Sequence, residues 1–328
     1  MKENLQTVLC GAAQGALILA CTLMMGLSGS QAQEYPSREI KLVNGYSAGA
    51  GADIASRIFA KHLEETLGKP VIVENKPGAF TNIGAAAVAR AEPDGYTLMF
   101  SGHTAIATNI HLFKTLPFDP INDFVAVAPA GNIGFGFAVG PKVAVTSMAE
   151  LTAFLKAKGE KATYGYANTF GLTATELYKN IAGVSPLAVP YKNAGDALND
   201  LARGEIDLLV YDLGVLSQQE ASGRILAVTT AERSTLRPDL PGMREAGVPG
   251  YDLGAWFGIW APANTPPAIV NRLSRAIAEI WSKEDKRKGL TAQTIEPFVA
   301  SPEEFAGHIK KETAKWGRVI EVAKIQKQ

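Results

Sequence analysis

The stretch EIKLVNGYSAGAGADIASRIFAKHLEETLG, Glu39 to Gly68, carries a change of period that decides the fold class. Its first eight residues are rich in Ile, Leu and Val and read as a strand. From Ala52 the apolar residues Ile54, Ile58, Leu63 and Leu67 recur at helical spacing, with Gly68 as the stop signal. Between them lies a turn of glycine and alanine with two readings. Gly45-Tyr46-Ser47-Ala48-Gly49 matches the G-x-S-x-G elbow that presents a catalytic serine. The same turn, running into a helix, is also how a chain builds an anion cradle without catalysis.

The strand-then-helix pattern continues outward. KPVIVEN, GYTLMFSG, FGFAVGP, ATYGYAN, PLAVPY, IDLLVYD, RILAVTT and AWFGIWAP read as strands. IGAAAVARA, SMAELTAFLKAKG, TATELYKNIAG and AGDALNDLARGE read as helices. Ser147 with Glu150, and Ser301 with Glu304, are capping-box signatures. RPDLPGMREAGVPGYD reads as a surface connection with one short helix, and the chain is expected to end in two helices. Strands alternating with short helices imply an α/β fold with mainly parallel sheets flanked by helices, in two units of similar plan. Ligands of such units sit beyond the carboxyl ends of parallel strands, here the loops after Tyr46, Phe100, Tyr166, Tyr191 and Tyr211.

Bulk properties narrow the function. At 328 residues the chain can hold two ordinary domains, and 47% hydrophobic with 20% charged residues describes a globular protein. Lys+Arg and Asp+Glu balance at 32 each, so no basic field points to nucleic acid. Lys2, the apolar run Gly15 to Leu27 and the small residues of Ser30-Gln31-Ala32 form a signal-peptide pattern, with cleavage expected after about Ala32. The run is short for a membrane anchor, and Leu19 together with the apolar residues beyond Cys21 argues against lipidation there. Both cysteines, Cys10 and Cys21, fall in this leader, so the mature chain has neither disulfide nor thiolate chemistry.

The catalytic templates fare poorly. An elbow serine needs a histidine and an acid, yet Ser47 follows the first strand of the mature chain, and the histidines are His62, His103, His111 and His308. Ile54 replaces the last glycine of a dinucleotide fingerprint, and His103 and His111 are poorly spaced for a metal. The electrostatic reading remains: Ala48, Gly49 and Ala50 shield their amides little, and the helix behind them aims its unpaired N–H groups at the same place. A carboxylate there gains about 0.3–1 kcal/mol from the dipole alone. Asp53 either caps these amides or fixes the turn from behind. Asn168, Thr169, Phe170 and Thr173 form a parallel strand-to-helix turn in the second unit, as in a two-lobed binding protein that closes on its ligand.

Three segments then carry a resemblance that spans nearly the whole mature chain. YPSREIKLVNGYSAGAGADIASRIFAKHLEETLGKPVIVENKPGAFTNIGAAAVARAEPDGYTLMF, VPYKNAGDALNDLARGEIDLLVYD and LAVTTAERSTLRPDLPGMREAGVPGYDLGAWFGIWAPANTP are similar to the Bug-type, or tripartite tricarboxylate transporter (TctC-like), extracytoplasmic solute receptors. The resemblance implies a Venus-flytrap fold, with lobe 1 over 35–129 plus 256–328 and lobe 2 over 130–255. It implies a periplasmic, monomeric, non-enzymatic protein without cofactor or metal. Such a protein captures a small organic carboxylate, aliphatic or aromatic, and hands it to integral-membrane transporter subunits. The alternatives are a serine hydrolase using Ser47 and a carboxylate sensor in a signalling system.

By position, Tyr46, Ser47, Ala48, Gly49, Ala50 and Asp53 would be the first-lobe cradle, with Ser101, Gly102, His103 and Thr104 beside it. Asn168, Thr169, Phe170 and Thr173 would face them, and Tyr191 and Asp212 would line the far wall. Two departures stand out: YSAGAGAD replaces a Pro-Gly-Gly core, and Phe80 and Thr81 replace glycines after ENKPGA. Phe80, with Phe170, would offer an aromatic face to the ligand or pack under the turn. Asp212 would accept from a ligand amine or hydroxyl, or cap the next helix. His103 would titrate near neutrality and pair with a second carboxylate, or be a simple loop residue.

Overall fold

Two mixed sheets, each flanked by helices, are joined where one long extended segment leaves the first sheet and enters the second. The computed structural model describes residues 35–218 and 223–328. The signal-peptide and lipidation readings, with both cysteines, lie outside the described residues. Residues 38–328 form one unit.

The first sheet has the order β11-β4-β10-β3-β1-β2, with β1 Ile40–Asn44, β2 Val71–Asn75, β3 Thr97–Gly102, β4 Phe124–Ile133, β10 Ala255–Pro262 and β11 Ile295–Glu296. β1 pairs parallel with β2 and β3, whereas β10 runs antiparallel to β3 and β4. The second sheet has the order β7-β6-β8-β5-β9, with β5 Phe135–Val139, β6 Thr163–Tyr166, β7 Leu187–Pro190, β8 Leu208–Asp212 and β9 Arg224–Val228. β6 is parallel to β7 and β8, and β5 is antiparallel to β8 and β9. The sheets are therefore mixed, because the strand that enters each sheet from a crossover, β5 or β10, runs against the βαβ strands, whereas β4 and β9 run with them. The chain crosses at Gly134 and returns between Val228 and Ala255.

Helix α1, Gly51–Leu67, follows β1 and ends where Gly68, at φ 71°, donates its N–H to the Glu64 carbonyl. Its buried stripe is Ala52, Ala55, Phe59, Ala60, Leu63 and Leu67, whereas Ile54 and Ile58 are half-buried. The stripe is rotated because Phe59 is its anchor, packed on Phe100 at 5.9 Å and on Trp281 at 6.0 Å. Helix α2 is Asn82–Ala89; a π-helical turn at Thr104–Thr108 leads into α3, Asn109–Leu112. In the second sheet's layer, α4 is Met148–Lys158, α5 Thr169–Ala182, α6 Ala194–Arg203 and α7 Leu213–Gln218. The chain closes with α8 Pro267–Ser282, α9 Glu284–Thr291 and α10 Pro302–Val322.

Two expectations are corrected, and one strand, β4, has no counterpart in the sequence reading. β4 escapes a reading by periodicity because Pro129 and Gly131 punctuate it; the pairing with β10 shifts register there, so the proline sits at a β-bulge, where its missing N–H costs no ladder bond. The 229–254 connection contains no helix: Pro238 and Pro241 lack donors, Gly247 and Gly250 turn with positive φ, and Leu240, Met243, Val248, Tyr251 and Leu253 pack inward. Three helices, not two, end the chain. The capping box at Ser301 is complete. At Ser147 the hydroxyl accepts from Glu150 N, but the Glu150 carboxylate reaches Thr146 N instead, at 2.6 Å.

Candidate functional site

The turn between β1 and α1 is held from inside by side chains. Asn44 Oδ1 accepts from Tyr46 N at 3.1 Å, and Asn75 Nδ2 donates to the Tyr46 carbonyl at 3.1 Å. Asp53, 4% exposed, accepts from Gly49 N at 2.9 Å, Arg57 Nε at 3.1 Å and Asn75 Nδ2 at 2.8 Å. Burial pushes its pKa up, but the bonds from Arg57, Gly49 and Asn75 outweigh that and hold the carboxyl below its ordinary value. Gly49 stands at φ 81°. Asp53 therefore fixes the turn from behind. Ser47 is half-buried; its carbonyl accepts from Ala50 N at 3.2 Å, and its hydroxyl has no histidine partner among the described residues.

A cleft of about 430 Å³ opens between the two sheets' loops. From the first side it is lined by Gly45–Ser47, Pro77–Thr81 and Thr104, and from the second by Ala167–Thr169, Tyr191 and Lys192. Since β2 and β7 are the sheet edges farthest from the crossover, this is the far-edge mouth of the molecule. The Thr81 and Thr169 side-chain oxygens, one from each side, are buried and have no hydrogen-bond partner. Such orphans cost roughly 1–3 kcal/mol each unless something fills the space. Thr169 opens α5, whose N-cap Asn168 accepts from Gly171 N at 2.7 Å, leaving the first two amides of the helix uncapped. Lys192 is the one charged side chain among the lining residues, and it has no carboxylate partner among the described residues.

The 78–81 wall is strained. Gly78, Ala79, Phe80 and Thr81 stand at φ 127°, 44°, 51° and 74°. The two positions where the sequence departs from glycine thus fall in the left-handed region, which costs L-residues roughly 1–2 kcal/mol each. The Phe80 carbonyl accepts from Asn109 Nδ2 at 2.8 Å, and its ring packs edge-on to Phe113 at 6.0 Å. Phe80 lines the cleft while resting on that support. Strain of this kind gathers where surrounding structure over-determines the backbone, commonly at ligand clamps.

Nearer the crossover lies a second, much smaller cavity of about 30 Å³, room for one water. Its walls include Ala50, Gly51, Gly102, His103, Phe170, Tyr211 and Asp212. Tyr46, Thr104 and Asn168 line both spaces and form the partition. The Tyr46 hydroxyl lies 3.4 Å from Thr104 Oγ1, and burial pushes its pKa up. Asp212 caps α7, its Oδ1 accepting from Val215 N at 3.2 Å. Desolvation raises its pKa to about 7, against the pull of the Val215 and Gly214 amides.

His103 does not titrate near neutrality. Its ring stacks on Trp316 at 4.2 Å and 5°, meets Phe170 edge-on at 5.8 Å, and shares a 2.7 Å bond between Nδ1 and Thr108 Oγ1. Burial, with Lys315 nearby, takes its pKa down to about 3, so it is a neutral core residue. Phe170 faces the small cavity and lies 3.9 Å from Phe135, so it does not join Phe80.

Of the residues expected at the ligand, the far-edge cleft brings together Tyr46, Ser47, Phe80, Thr104, Asn168, Thr169 and Tyr191. Ala50, Gly102, His103, Phe170 and Asp212 face the small cavity. Ala48, Gly49, Asp53, Ser101 and Thr173 line neither. Sequence reasoning passes over Thr81 and Lys192. Lys192 sits directly after Tyr191 at the end of β7, and the strand-end rule extended by one residue would reach it.

The family model for the tripartite tricarboxylate transporter family receptor matches this chain over residues 55–325. Protein BugT of Bordetella pertussis is 32% identical over 295 residues, covering 88% of this chain and 90% of its own length. Among solved structures, R. palustris Rpa4515 with adipate superposes with a TM-score of 0.86 at 33% identity, over 90% of this chain and 100% of the other. MatC from Rhodopseudomonas palustris with bound malate gives 0.80 at 27% identity, over 87% and 100%. The two-lobed fold, the cleft between the lobes and these matches agree: the chain belongs to the tripartite tricarboxylate transporter receptor family of Bug-type solute-binding proteins.

Proposed function

We propose that this protein is an exported receptor that captures a small organic carboxylate in the far-edge cleft and passes it to membrane transporter subunits. The observation that carries the reading is the cleft's inventory: two buried, unpartnered hydroxyls from opposite lobes, an uncapped helix start, one lysine and no acid. Thr81 and Thr169 donate to the carboxylate, the α5 amides face its charge, and Lys192 neutralises it. Charge-assisted bonds of this kind are roughly twice as strong as neutral ones. Similar receptors solved with adipate and malate support the chemical class.

The ligand satisfies both lobes at once, so it favours the closed arrangement by its differential affinity for that state. Asp53 and His103 act as structural residues in this scheme, and Ser47 lines the wall without performing chemistry. The test is a thermal-shift panel of mono- and dicarboxylates, followed by calorimetry on those that bind. Carboxylates are expected to raise Tm through mass action, and Lys192→Met to weaken the best ligand about tenfold or more, near 1.4 kcal/mol. Stabilisation by sugars or cations, with no response to any acid, overturns the reading.

A further inference from the structure

Gly51 opens α1, a place where alanine would suit a helix better and where φ lies outside the left-handed region. The backbone of α1 thus gives no reason for a glycine. The reason lies across the seam between the lobes: a Cβ on Gly51 would stand 2.2 Å from Asp212 Oδ2 and 2.7 Å from its Cγ. The first turn of α1, which the sequence marks as an anion cradle, is met by the chain's own carboxyl group. Asp212 cannot swing aside cheaply. It is 7% exposed, and its Oδ1 is tied to the start of α7 by Val215 N. Tyr46, His103 and Tyr211 share the cavity that it lines, and none is a cation there.

We propose that Gly51 and Asp212 form the stop that sets how far the lobes close, and thereby position the far-edge cleft for its ligand. The inference rests on the receptor reading above. Its leverage comes from where the pair sits. Asp212 is the register partner of Phe135, one residue past the crossover at Gly134. It lies one strand from β5, whereas β7 lies three strands away. At about 4.8 Å per strand these are distances of roughly 5 and 14 Å from the crossover strand. A wedge at Asp212 is therefore magnified about threefold at the edge that carries Tyr191 and Lys192. An added methyl group at Gly51 falls about 1 Å short of ordinary contact, so it holds the cleft open by roughly 3 Å there.

The test is a double-mutant cycle with the mature protein. Gly51→Ala is expected to leave Tm unchanged or higher, to weaken the best carboxylate at least tenfold, and to reduce the ligand-induced drop in radius of gyration measured by small-angle scattering. Asp212→Ser keeps a helix cap but shortens the side chain. In the double variant it is expected to restore both affinity and compaction to within about twofold of Asp212→Ser alone. Wild-type affinity in Gly51→Ala overturns the proposal, as does a loss that Asp212→Ser fails to rescue. If the wild-type protein binds no carboxylate, the receptor reading fails instead. Compaction by whatever ligand does bind then judges the stop on its own.

Discussion

Two aspartates in this structure have the same charge and opposite duties. Asp53 is saturated with donors, so Asp53→Ala strands the Gly49 and Asn75 amides and costs about 2–3 kcal/mol, read as a lower Tm. Among the described residues Asp212 has no cation beside it, and its pKa is raised from 3.8 to about 7 by burial. A group raised in this way stabilises the folded form fully below about pH 4, and that contribution is lost as pH rises through about 7. The wild-type Tm is therefore expected to fall more steeply than that of Asp212→Asn between these limits; parallel curves would contradict the assignment. Sequence could name both residues but not separate them. The difference is three-dimensional, since Asn75 and Arg57 reach one carboxylate and only α7 amides bond the other. Phe80 and Thr81 are legible as departures from glycine, yet only the backbone shows that they sit at positive φ.

The terminal helix α10 carries more of the architecture than its position in the chain suggests. Trp316, fully buried, presses on His103 from β3's loop and on Phe170 of α5, so one side chain touches both lobes. Asn180 of α5 donates to the Ala323 carbonyl just past the end of α10. Trp316→Ala is expected to cost about 3–5 kcal/mol. It should also return the pKa of His103 from about 3 toward its ordinary 6.5, a change visible as a new imidazole titration by NMR. The capping residues Ser301 and Ser147 are readable because a cap acts within four residues of itself. β4 is unreadable for the complementary reason: its bulge at Pro129 is licensed by β10, more than a hundred residues away.

At the scale of the whole molecule, two crossings join lobes whose contact surface is aromatic and polar together. Ligand capture is expected to reduce the radius of gyration. Exchange protection should rise at the loops of Tyr46, Phe80 and Thr169, while the π-helical turn at 104–108, already fully buried, should change little. Protection gains at Phe135 and Asp212, which line the inner cavity and not the cleft, without gains at Phe80 would show that the ligand acts at the inner cavity instead.

The sequence alone determined the alternating α/β plan, the strand-end loops that converge on the cleft and the family. These come from local periodicity, capping chemistry and long matched segments, all of which are written along the chain. The tertiary structure decided which of the two strand-to-helix turns keeps its helix start open to a ligand, which histidine stays neutral, and that an aspartate from one lobe rests on the first turn of a helix in the other. Those outcomes depend on burial and on distances between residues remote in sequence, and neither quantity exists until the two sheets are brought together.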